Sequence, residues 1–401
     1  MYEKAFGRVR NIGGVIMKKS WSVFELGEIV EIKKNKYNPK KEDKNYPCIE
    51  LEHMNQVIGS INGYTRSIEQ SSIKNRFSKG DVLYGKLRPY LRKYYLCEFD
   101  GVCSSEIWVL NGKKVENKFL YYLVQGDKFN NIANVSTGSK MPRADWSFME
   151  GYPFMIPPKL EQEKIAEILA KWDLAIEKQE QLIEKKKEFK KGLMQKLLSG
   201  EVRFKEFKEK WNNKALENYI IPVIRECDKP SEGYWRLGLR SHGKGTFHEF
   251  VEDPSTVSMD KLYKVKCNDL IVNITFAWEH AIAVANSMDE DKLVSHRFPT
   301  YEFKDNAYPL FFKHYILQPK FKHMLVNISP GGAGRNRVMS KKEFLNLIVK
   351  IPSYNEQVRI AEVLTGADKE VELLQKELEI LKFQKKGLMK RLLNGEVRVS
   401  L

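Results

Sequence analysis

The chain has 401 residues, a length that exceeds one ordinary domain and allows two to four. Hydrophobic residues make up 42% of it, which is enough for packed cores, and its low glycine and proline content argues against a disordered chain. The net charge of +16 favours a polyanionic partner, either nucleic acid or an anionic membrane surface. The sequence has no run of about 18 apolar residues, the length needed to span a membrane.

Residues 1–17 lack the apolar stretch of a secretory signal. Structured-looking sequence begins after Met17, so we interpret residues 1–17 as an N-terminal extension outside the native fold, with Met17 as an alternative start to Met1. The five cysteines never approach the C-x-x-C spacing of a zinc site. They predict reduced thiols in a cytoplasmic protein rather than a disulfide framework.

Two long segments, residues 18–158 and 204–352, are predicted to be separate mixed α/β domains. Both are dense in β-branched and aromatic residues and are broken by Gly, Asn and Asp turns. The stretches GDVLYGKLRPYL at 80–91 and NDLIVNITFAWE at 268–279 are predicted to be equivalent strand–turn–strand pieces. The parts follow in the same order while the residues differ, as expected if each segment reads a different target.

Short helices and basic loops follow in each segment. Residues 119–129 and 310–321 are each predicted to form a short helix. Glycine-rich, basic loops come next, at 134–146 and 327–339. Because glycine permits a close approach of the backbone to a ligand, these loops are candidate contacts for the target.

The regions 159–203 and 353–401 carry an internal repeat. One ungapped offset of 195 aligns residues 157–203 with 352–398, and 22 of the 47 aligned positions are identical. The phrase KKGLMQKLLSGEVRF, which starts at Lys190, returns near the C-terminus as KKGLMKRLLNGEVRV. The chain is therefore a tandem duplication.

Each repeat is predicted to be one long helix of about 37 residues, ending where Gly200 or Gly395 provides a left-handed cap. Apolar residues recur in alternating steps of four and three, as in a coiled-coil seam, so we expect the two helices to pair. Gln179, Lys186 and Lys190 interrupt the first seam. The alternative is two unrelated amphipathic helices on separate domains. The predicted seam residues are Ile165, Leu169, Trp172, Ile176, Leu193, Leu197, Ile360, Leu364, Val371, Leu374, Leu378, Leu381, Leu388 and Leu392.

This arrangement resembles the specificity subunits of type I restriction–modification systems, over the whole chain after about Lys18. The phrases IPPKLEQEKIAEIL, KKGLMQKLLSGEVRF and GDVLYGKLRPYL, together with the duplication, carry the resemblance. It implies an α+β fold in which two target recognition domains are separated by two long helices, paired as an antiparallel coiled coil with pseudo-two-fold symmetry. It also implies that each domain reads one half of a split site in double-stranded DNA, while the helices set the spacing.

The same resemblance implies the partners. They are two methyltransferase (M) subunits and, in the cleaving complex, restriction (R) subunits. S-adenosylmethionine, ATP and magnesium are expected on those partners, and no cofactor or metal is expected in this chain.

Basic residues support a DNA role independently of the resemblance. Between residues 71 and 95, seven basic residues stand against one acid, with tyrosines interleaved. Lys and Arg bind phosphates with counterion release, and Arg and Asn can read guanine and adenine. The alternative is a solvated basic face with the tyrosines in the core. The predicted DNA-binding residues are Lys86, Arg88, Arg92, Lys93, Ser139, Lys140, Arg143, Arg236, Arg240, His242, Lys244, Arg335, Asn336 and Arg337.

A search for catalytic motifs gives none that is complete. Gly238-x4-Gly243-Lys244 resembles a phosphate loop, but Gly245 stands where Ser or Thr must ligate magnesium. The tetrapeptide of amino-methyltransferases and the zinc-protease pattern are absent from the sequence. We therefore predict a non-catalytic specificity subunit that binds DNA. The alternative function is a basic coiled-coil structural adaptor without sequence-specific DNA binding.

Overall fold

Two compact units make up the chain in the computed structural model, which describes residues 21–135, 141–331 and 337–400. Unit 1 comprises residues up to Gln179 together with those from Glu377 onward, and unit 2 comprises Glu180–Lys376. Each unit therefore contains one predicted recognition region, the first half of the repeat helix that follows it, and the last half of the other repeat helix. The predicted domain bounds at 158 and 352 stay a prediction, since the two units divide the chain within the helices.

The first recognition region contains eleven strands among the described residues. They are β1 (Ser22–Glu25), β2 (Val30–Ile32), β3 (Lys36–Tyr37), β4 (Pro47–Ile49), β5 (Thr65–Arg66), β6 (Lys74–Phe77), β7 (Val82–Gly85), β8 (Tyr94–Leu96), β9 (Gly101–Cys103), β10 (Ile107–Gly112) and β11 (Pro153–Ile156). The second region contains the same number in its described part. They are β12 (Asn212–Ala215), β13 (Ile220–Val223), β14 (Glu226–Asp228), β15 (Tyr234–Leu239), β16 (Thr246–Val251), β17 (Lys261–Lys264), β18 (Leu270–Val272), β19 (Ile282–Val284), β20 (Leu293–Val294), β21 (Thr300–Phe303) and β22 (Ile348–Ile351).

The two regions share one sheet topology. In the first, the sheets have the orders β1-β11, β2-β10-β7-β8 and β3-β6-β9-β4-β5. In the second, the orders are β12-β22, β13-β21-β18-β19 and β14-β17-β20-β15-β16, so every strand number rises by 11. Even the single parallel pairing in each five-stranded sheet corresponds, since β4 pairs with β9 and β15 with β20. The predicted α+β duplication is confirmed.

Nine α-helices lie in the described part of the chain. They are α1 (Leu26–Ile29), α2 (Asn117–Leu123), α3 (Asp127–Ala133), α4 (Trp146–Met149), α5 (Lys159–Ser199), α6 (Pro309–Tyr315), α7 (Pro319–Asn327), α8 (Lys341–Leu345) and α9 (Tyr354–Leu393). The predictions of one short helix at 119–129 and one at 310–321 are wrong, because each stretch holds parts of two helices. Gly126 and Gln318 take extended backbone angles at the breaks, and Pro319 begins α7.

The repeat helices α5 and α9 contain 41 and 40 residues, slightly more than the predicted 37. Gly200 and Gly395 follow their ends with φ of 76° and 71°, as the left-handed caps require. A tryptophan ring covers each of these glycines. Trp211 lies against Gly200 and Trp21 against Gly395, so both ends are fixed by packing on a recognition region.

Hydrophobic cores join each recognition region to both helices. In unit 1, Ile165 and Leu169 of α5 and Leu392 of α9 belong to the core that includes Phe119 and Phe129. In unit 2, Leu197, Ile360 and Leu364 belong to the equivalent core. The outer members of the predicted seam are therefore buried in domain cores, and its inner members, including Trp172, Val371 and Leu381, are half-buried or buried. No helix of the described residues is long and apolar enough to cross a membrane.

Candidate nucleic-acid interface

The first recognition turn, defined as residues 86–93, connects β7 to β8. A short 3₁₀ segment, Pro89–Leu91, lies between Arg88 and Arg92, which both have left-handed backbone angles with φ of 51° and 47°. Such angles are uncommon for residues other than glycine. The turn is closed by internal hydrogen bonds. The Gly85 amide donates to the Lys93 carbonyl at 2.9 Å, and the Arg92 amide donates to the Pro89 carbonyl at 2.9 Å.

The second recognition turn, defined as residues 274–281, connects β18 to β19 and is closed by equivalent hydrogen bonds, although Phe276 has φ of −126° at its start where Arg88 has 51°. The Asn273 amide donates to the Ala281 carbonyl at 3.0 Å, and the His280 amide donates to the Ala277 carbonyl at 2.7 Å. His280, with φ of 68°, corresponds to Arg92. By the same hydrogen-bond pattern Phe276 corresponds to Arg88. The scaffold of the two turns is shared, and their side chains are different.

The four predicted DNA-binding residues of the first turn differ in availability. Arg88 is exposed and Lys86 half-buried, and neither side chain has a polar partner among the described residues. Arg92 forms an ion pair with Asp127 at 3.0 Å. Lys93 donates to the Leu51 carbonyl at 2.6 Å, and burial lowers its pKa. Arg88 is therefore the residue of this turn best placed to meet a ligand.

The tyrosines interleaved with these basic residues divide between core and surface. Tyr84, Tyr94 and Tyr95 are buried, whereas Tyr90 is 55% exposed. Burial raises the pKa of Tyr95 to about 12, and the phenol of Tyr84 donates to the side chain of the buried Asn130 at 3.1 Å. Three of the four tyrosines are therefore core residues, and only Tyr90 is placed to stack on a base.

The glycine-rich loops reach the recognition turns at their described ends. Ser139, Lys140, Arg335 and Asn336 lie outside the described residues. In the C-terminal parts of the two loops, the Ala144 amide donates to the Lys86 carbonyl at 2.9 Å, and the Met339 amide donates to the Ile274 carbonyl at 2.8 Å. The two loops thus end at equivalent places, each beside the turn of its own region.

Two arginines at the ends of these loops already have partners. Arg143 forms a two-pronged ion pair with Glu106, with nitrogen–oxygen distances of 2.9 and 3.3 Å. Arg337 lies over the ring of Trp278, 5.4 Å from its centroid. Both pairs are open to solvent, so a phosphate could compete for either guanidinium.

A second loop contacts each recognition turn from the other side. In region 1 the Val57 amide donates to the Arg92 carbonyl at 3.0 Å, and in region 2 the Gly243 amide donates to the His280 carbonyl at 2.9 Å. The loop at 241–246 presents His242 and Lys244, which are exposed and lack polar side-chain partners among the described residues. Both therefore remain available to a ligand beside the second turn.

The predicted residues on β15 and at its end are more constrained. Arg236 forms an ion pair with Glu249 at 2.7 Å across the β15–β16 pair. The Arg240 guanidinium lies 5.2 Å from the centroid of the Phe247 ring and donates to the Thr246 carbonyl. These contacts hold the two side chains along the hairpin, so they are less available than His242 and Lys244.

The ends of the repeat helices form the most similar contacts in the two units. In unit 1 the carboxylate of Glu161, which is almost fully buried, accepts two hydrogen bonds from Arg398 at 2.6 and 2.7 Å and one from the Trp21 indole at 3.1 Å. In unit 2 the carboxylate of Glu356 accepts hydrogen bonds from Arg203 and from the Trp211 indole at 2.7–3.1 Å. Each GEVR phrase thus supplies an arginine to the Glu-Gln pair of the other repeat.

The neighbouring glutamines of the Glu-Gln pairs bind the recognition regions. The side-chain oxygen of Gln162 accepts a hydrogen bond from the Glu116 amide, just before α2, and that of Gln357 accepts one from the Tyr308 amide, just before α6. Both distances are 2.8 Å. Buried amides that are fully used in this way fix the angle at which each repeat helix leaves its region.

Polar residues inside the predicted seam form ion pairs across the helices. Within unit 2, Lys186 pairs with Glu370 at 2.6 Å and Lys190 pairs with Asp368. Within unit 1, Lys385 pairs with Asp173. In unit 1 the Gln179 side-chain amide also donates to the Glu377 carboxylate at 3.1 Å. In both units the residue number therefore rises along one helix as it falls along the other, so the pairing is antiparallel. The lysines that interrupt the apolar pattern are therefore part of the helix–helix contact.

A family model described as "Type I restriction modification DNA specificity domain" matches residues 18–185 and 200–382. A relative from Methanocaldococcus jannaschii, named as the putative type I restriction enzyme MjaX specificity subunit, is 25% identical over 95% of this chain and 95% of its own length. The MjaVIII specificity subunit from the same organism is 24% identical over 98% and 96%.

The chain belongs to the family of type I restriction–modification specificity subunits. The fold agrees, because a chain from a solved structure on complex assembly and conformational transition of the type I restriction–modification system superposes with a TM-score of 0.60. That chain is 16% identical, and the match covers 96% of this specificity subunit and 100% of the solved chain. Among the described residues, no group of three or more His, Cys, Asp or Glu could hold a metal ion.

Two features of the specificity subunit's interface escaped the sequence analysis. Arg297 is exposed, has no polar side-chain partner in the described parts of the chain, and lies at the second turn, where the Ile274 amide donates to its carbonyl at 3.0 Å. The loop at 54–61 was also missed. Arg297 stands alone among uncharged residues apart from His296, and the loop has no charged residue, so neither forms a basic cluster in the sequence.

Proposed function

We propose that the two recognition regions of this specificity subunit each read one half of a bipartite site in double-stranded DNA. The observation that carries the proposal is the pair of recognition turns, which share backbone hydrogen bonds but present different side chains, with Arg88 in one and Phe276 in the other. Because each turn is held by its own backbone, its side chains are free to differ without a cost to the fold. Two such turns can therefore recognise two different half-sites.

The basic residues around the turns are suited to two kinds of DNA contact, one to phosphates and one to base edges. Phosphate contacts fix the position of a protein on the duplex, and contacts to base edges carry the sequence information. Lys86, Lys244 and Arg297 have no polar partners among the described residues and suit phosphates. Arg88 is held by a hydrogen-bonded turn, and its guanidinium has no polar partner among the described residues, which suits two-pronged readout of guanine.

The helices are proposed to set the spacing between the half-sites and to bind two M subunits. Support comes from large apolar side chains on their solvent faces. Ile380 and Phe383 are exposed on α9, as are Leu182 and Phe189 on α5. Surfaces of this kind mark contacts with other proteins. Methylation, and cleavage where R subunits join, belong in this proposal to the partners, together with S-adenosylmethionine, ATP and magnesium.

The test combines expression with methylation sequencing. The chain is expressed with its M subunit in cells lacking other methyltransferases, and methylated adenines are mapped across the genome. We expect one bipartite motif. A second strain carries residues 18–158 exchanged for those of a relative, and there only one half of the motif should change. A motif whose two halves change together, or no methylation motif at all, would contradict the proposal.

Binding of the M subunit has a test of its own. Phe383→Asp places a charge on the exposed face of α9 and should lower the amount of M subunit that co-purifies at least tenfold, because a buried unpaired charge costs several kcal/mol. Ile68→Asp, which adds the same charge at an exposed apolar residue outside the helices, is the matched control and should retain two M subunits. Equal loss in both variants, or in neither, would argue against the helices as the binding surface.

A further inference from the structure

The loop at residues 54–61 of region 1 presents two large apolar side chains to solvent. Val57 is 60% exposed and Ile58 is 69% exposed. Val57 also has a left-handed backbone with φ of 66°, which is a genuine outlier for a β-branched residue. Such strain persists only where the surroundings impose it. A strained, exposed and apolar loop tip calls for a functional explanation.

The surroundings do impose the conformation. The Val57 amide donates to the Arg92 carbonyl at 3.0 Å, and the Tyr94 phenol donates to the Val57 carbonyl. At the base of the loop, the Asn55 amide donates to the Ser60 carbonyl at 2.9 Å. At Gly59 a Cβ atom would lie 2.1 Å from the Tyr121 hydroxyl, so only glycine fits there. The tip is therefore held rigidly, and its apolar side chains are displayed in a fixed position.

The position of the tip is beside the first recognition turn. The hydrogen bond from Val57 to Arg92 joins the loop directly to the segment that carries Arg88. In region 2 the equivalent loop, which bonds to His280, presents His242 and Lys244 and has no apolar tip. The shared fold therefore does not require an apolar tip in this loop. The tip is specific to region 1, as expected of a side chain that helps to recognise one particular half-site.

We propose that Ile58, aimed by the strained backbone of Val57, contacts the 5-methyl group of a thymine in the half-site that region 1 reads. The inference rests on the proposed function. In the major groove, thymine is the only natural base that presents an apolar group, and side chains that read it are apolar. A neighbouring arginine supplies the polar contacts to adjacent bases and phosphates, which Ile58 cannot supply. The loop thus makes binding depend on a thymine next to the base that Arg88 contacts.

The test removes the methyl group alone. The specificity subunit in its complex with M subunits is titrated with duplexes of the mapped site, in which each thymine of the first half-site is replaced in turn by deoxyuridine. One replacement should weaken binding about fourfold, because burying one methyl contributes about 0.8 kcal/mol. Ile58→Ala should bind the thymine and deoxyuridine duplexes equally. Val23→Ala, with similar exposure on β1, should keep the fourfold difference.

Each other outcome decides against the inference. A wild-type complex that is indifferent to every deoxyuridine in the first half-site has no methyl contact. A loss of affinity in Ile58→Ala that is equal for thymine and deoxyuridine would mean a wedge between base pairs or a contact with protein. The failure of the proposed function is distinguishable, because exchange of residues 18–158 would then leave the first half-site unchanged. A half-site that changes on exchange but ignores the methyl group overturns this inference alone.

Discussion

The two units of this chain resemble each other at the helix ends and at the recognition turns, but for different reasons. At the helix ends the same residue types make the same contacts in both units, as with Glu161 and Arg398 in one and Glu356 and Arg203 in the other. At the turns the backbone hydrogen bonds are the same, while Arg88 in one turn corresponds to Phe276 in the other. The helix ends have kept the same side chains, and the recognition turns have kept the backbone hydrogen bonds that close them.

The difference follows from where each region obtains its hydrogen bonds. At the helix ends a buried carboxylate depends on the side chains of an arginine and a tryptophan, so a change in any of the three leaves a polar group short of a hydrogen-bond partner. In the turns, amides and carbonyls satisfy one another, and the side chains point away from that network. A duplicated scaffold can therefore change what it binds at the turns while it keeps the connections at the helix ends.

Breaking the contact at a helix end should have the largest effect. Arg203→Ala leaves the Glu356 carboxylate, which is 1% exposed, with the Trp211 indole at 3.1 Å as its one side-chain donor among the described residues. Removing one partner of a buried ion pair costs about 3–5 kcal/mol, and we expect about 3 kcal/mol because the Arg203 side chain is 24% exposed. The corresponding fall in Tm is about 6–12 °C for a unit of this size. Thermal and denaturant unfolding measure it.

Lys376→Ala is the matched control for the helix end. Lys376 pairs with Glu372 at 2.6 Å on the surface of the same unit, and both side chains are more than 60% exposed. An exposed pair of this type contributes little to stability, because water and salt screen it. If Lys376→Ala and Arg203→Ala lowered stability to the same extent, burial of the helix-end contact would not be the reason for its effect.

The helix ends also show how far sequence alone could go. The duplication, the long helices and the glycine caps followed from the repeated phrase, since 22 of 47 aligned residues are identical. The partners of Lys186 and Lys190 could not be predicted, because they depend on the register between two helices that lie far apart in the chain. Their partners, Glu370 and Asp368, become evident only when the antiparallel register is known.

The candidate interface could be predicted in part. The strand–turn–strand pattern located both recognition turns, and Arg88 was among the predicted residues. The pattern could not show that Arg143 is paired with Glu106, 37 positions away, or that the loop at 54–61 is bonded to Arg92. Both are contacts between distant parts of the chain, and the local composition of the sequence does not reveal such contacts. The predicted base contacts themselves stay predictions.

Changing the turns should alter recognition and leave stability unaffected. Arg88→Ala removes an exposed guanidinium that has no polar partner in the described parts of the chain, and it should cost about 1–3 kcal/mol in binding at one base pair of the first half-site. Its specificity at that base pair should relax, while the second half-site is read as before. Binding titrations on duplexes with single base-pair changes measure both effects.

Arg143→Ala provides the comparison for Arg88. Its guanidinium is engaged by Glu106, so we expect it to reach phosphates rather than base edges. Its removal should weaken binding to all duplexes alike. The slope of the logarithm of the binding constant against the logarithm of the salt concentration should decrease by about one, because one phosphate contact is lost. If Arg88→Ala also weakened every duplex equally, Arg88 would contact phosphate rather than a base. The side chains of the turns would then not explain how the two half-sites are distinguished.

The last comparison concerns pH and distinguishes the two units. Tyr122 and His314 occupy equivalent positions on α2 and α6 and contact Asp173 and Asp368 respectively. Burial lowers the pKa of His314 to about 4, although Asp368 opposes the shift. The unfolded chain, with a histidine pKa near 6.5, then binds the proton more readily than the folded chain. Stability of unit 2 should therefore fall from about pH 6.5 downward, by about 2 kcal/mol at pH 5.

Hydrogen exchange of amides in α2 and α6 at pH 7 and pH 5, corrected for the intrinsic rates, separates the two units. The opening free energy should fall in α6 and stay nearly constant in α2. His314→Tyr gives region 2 the residue of region 1, whose phenol donates to an aspartate at 2.8 Å without titrating in this range. That variant should remove the difference between the units. A loss of protection that was equal in α2 and α6 would mean that other groups control the response to acid.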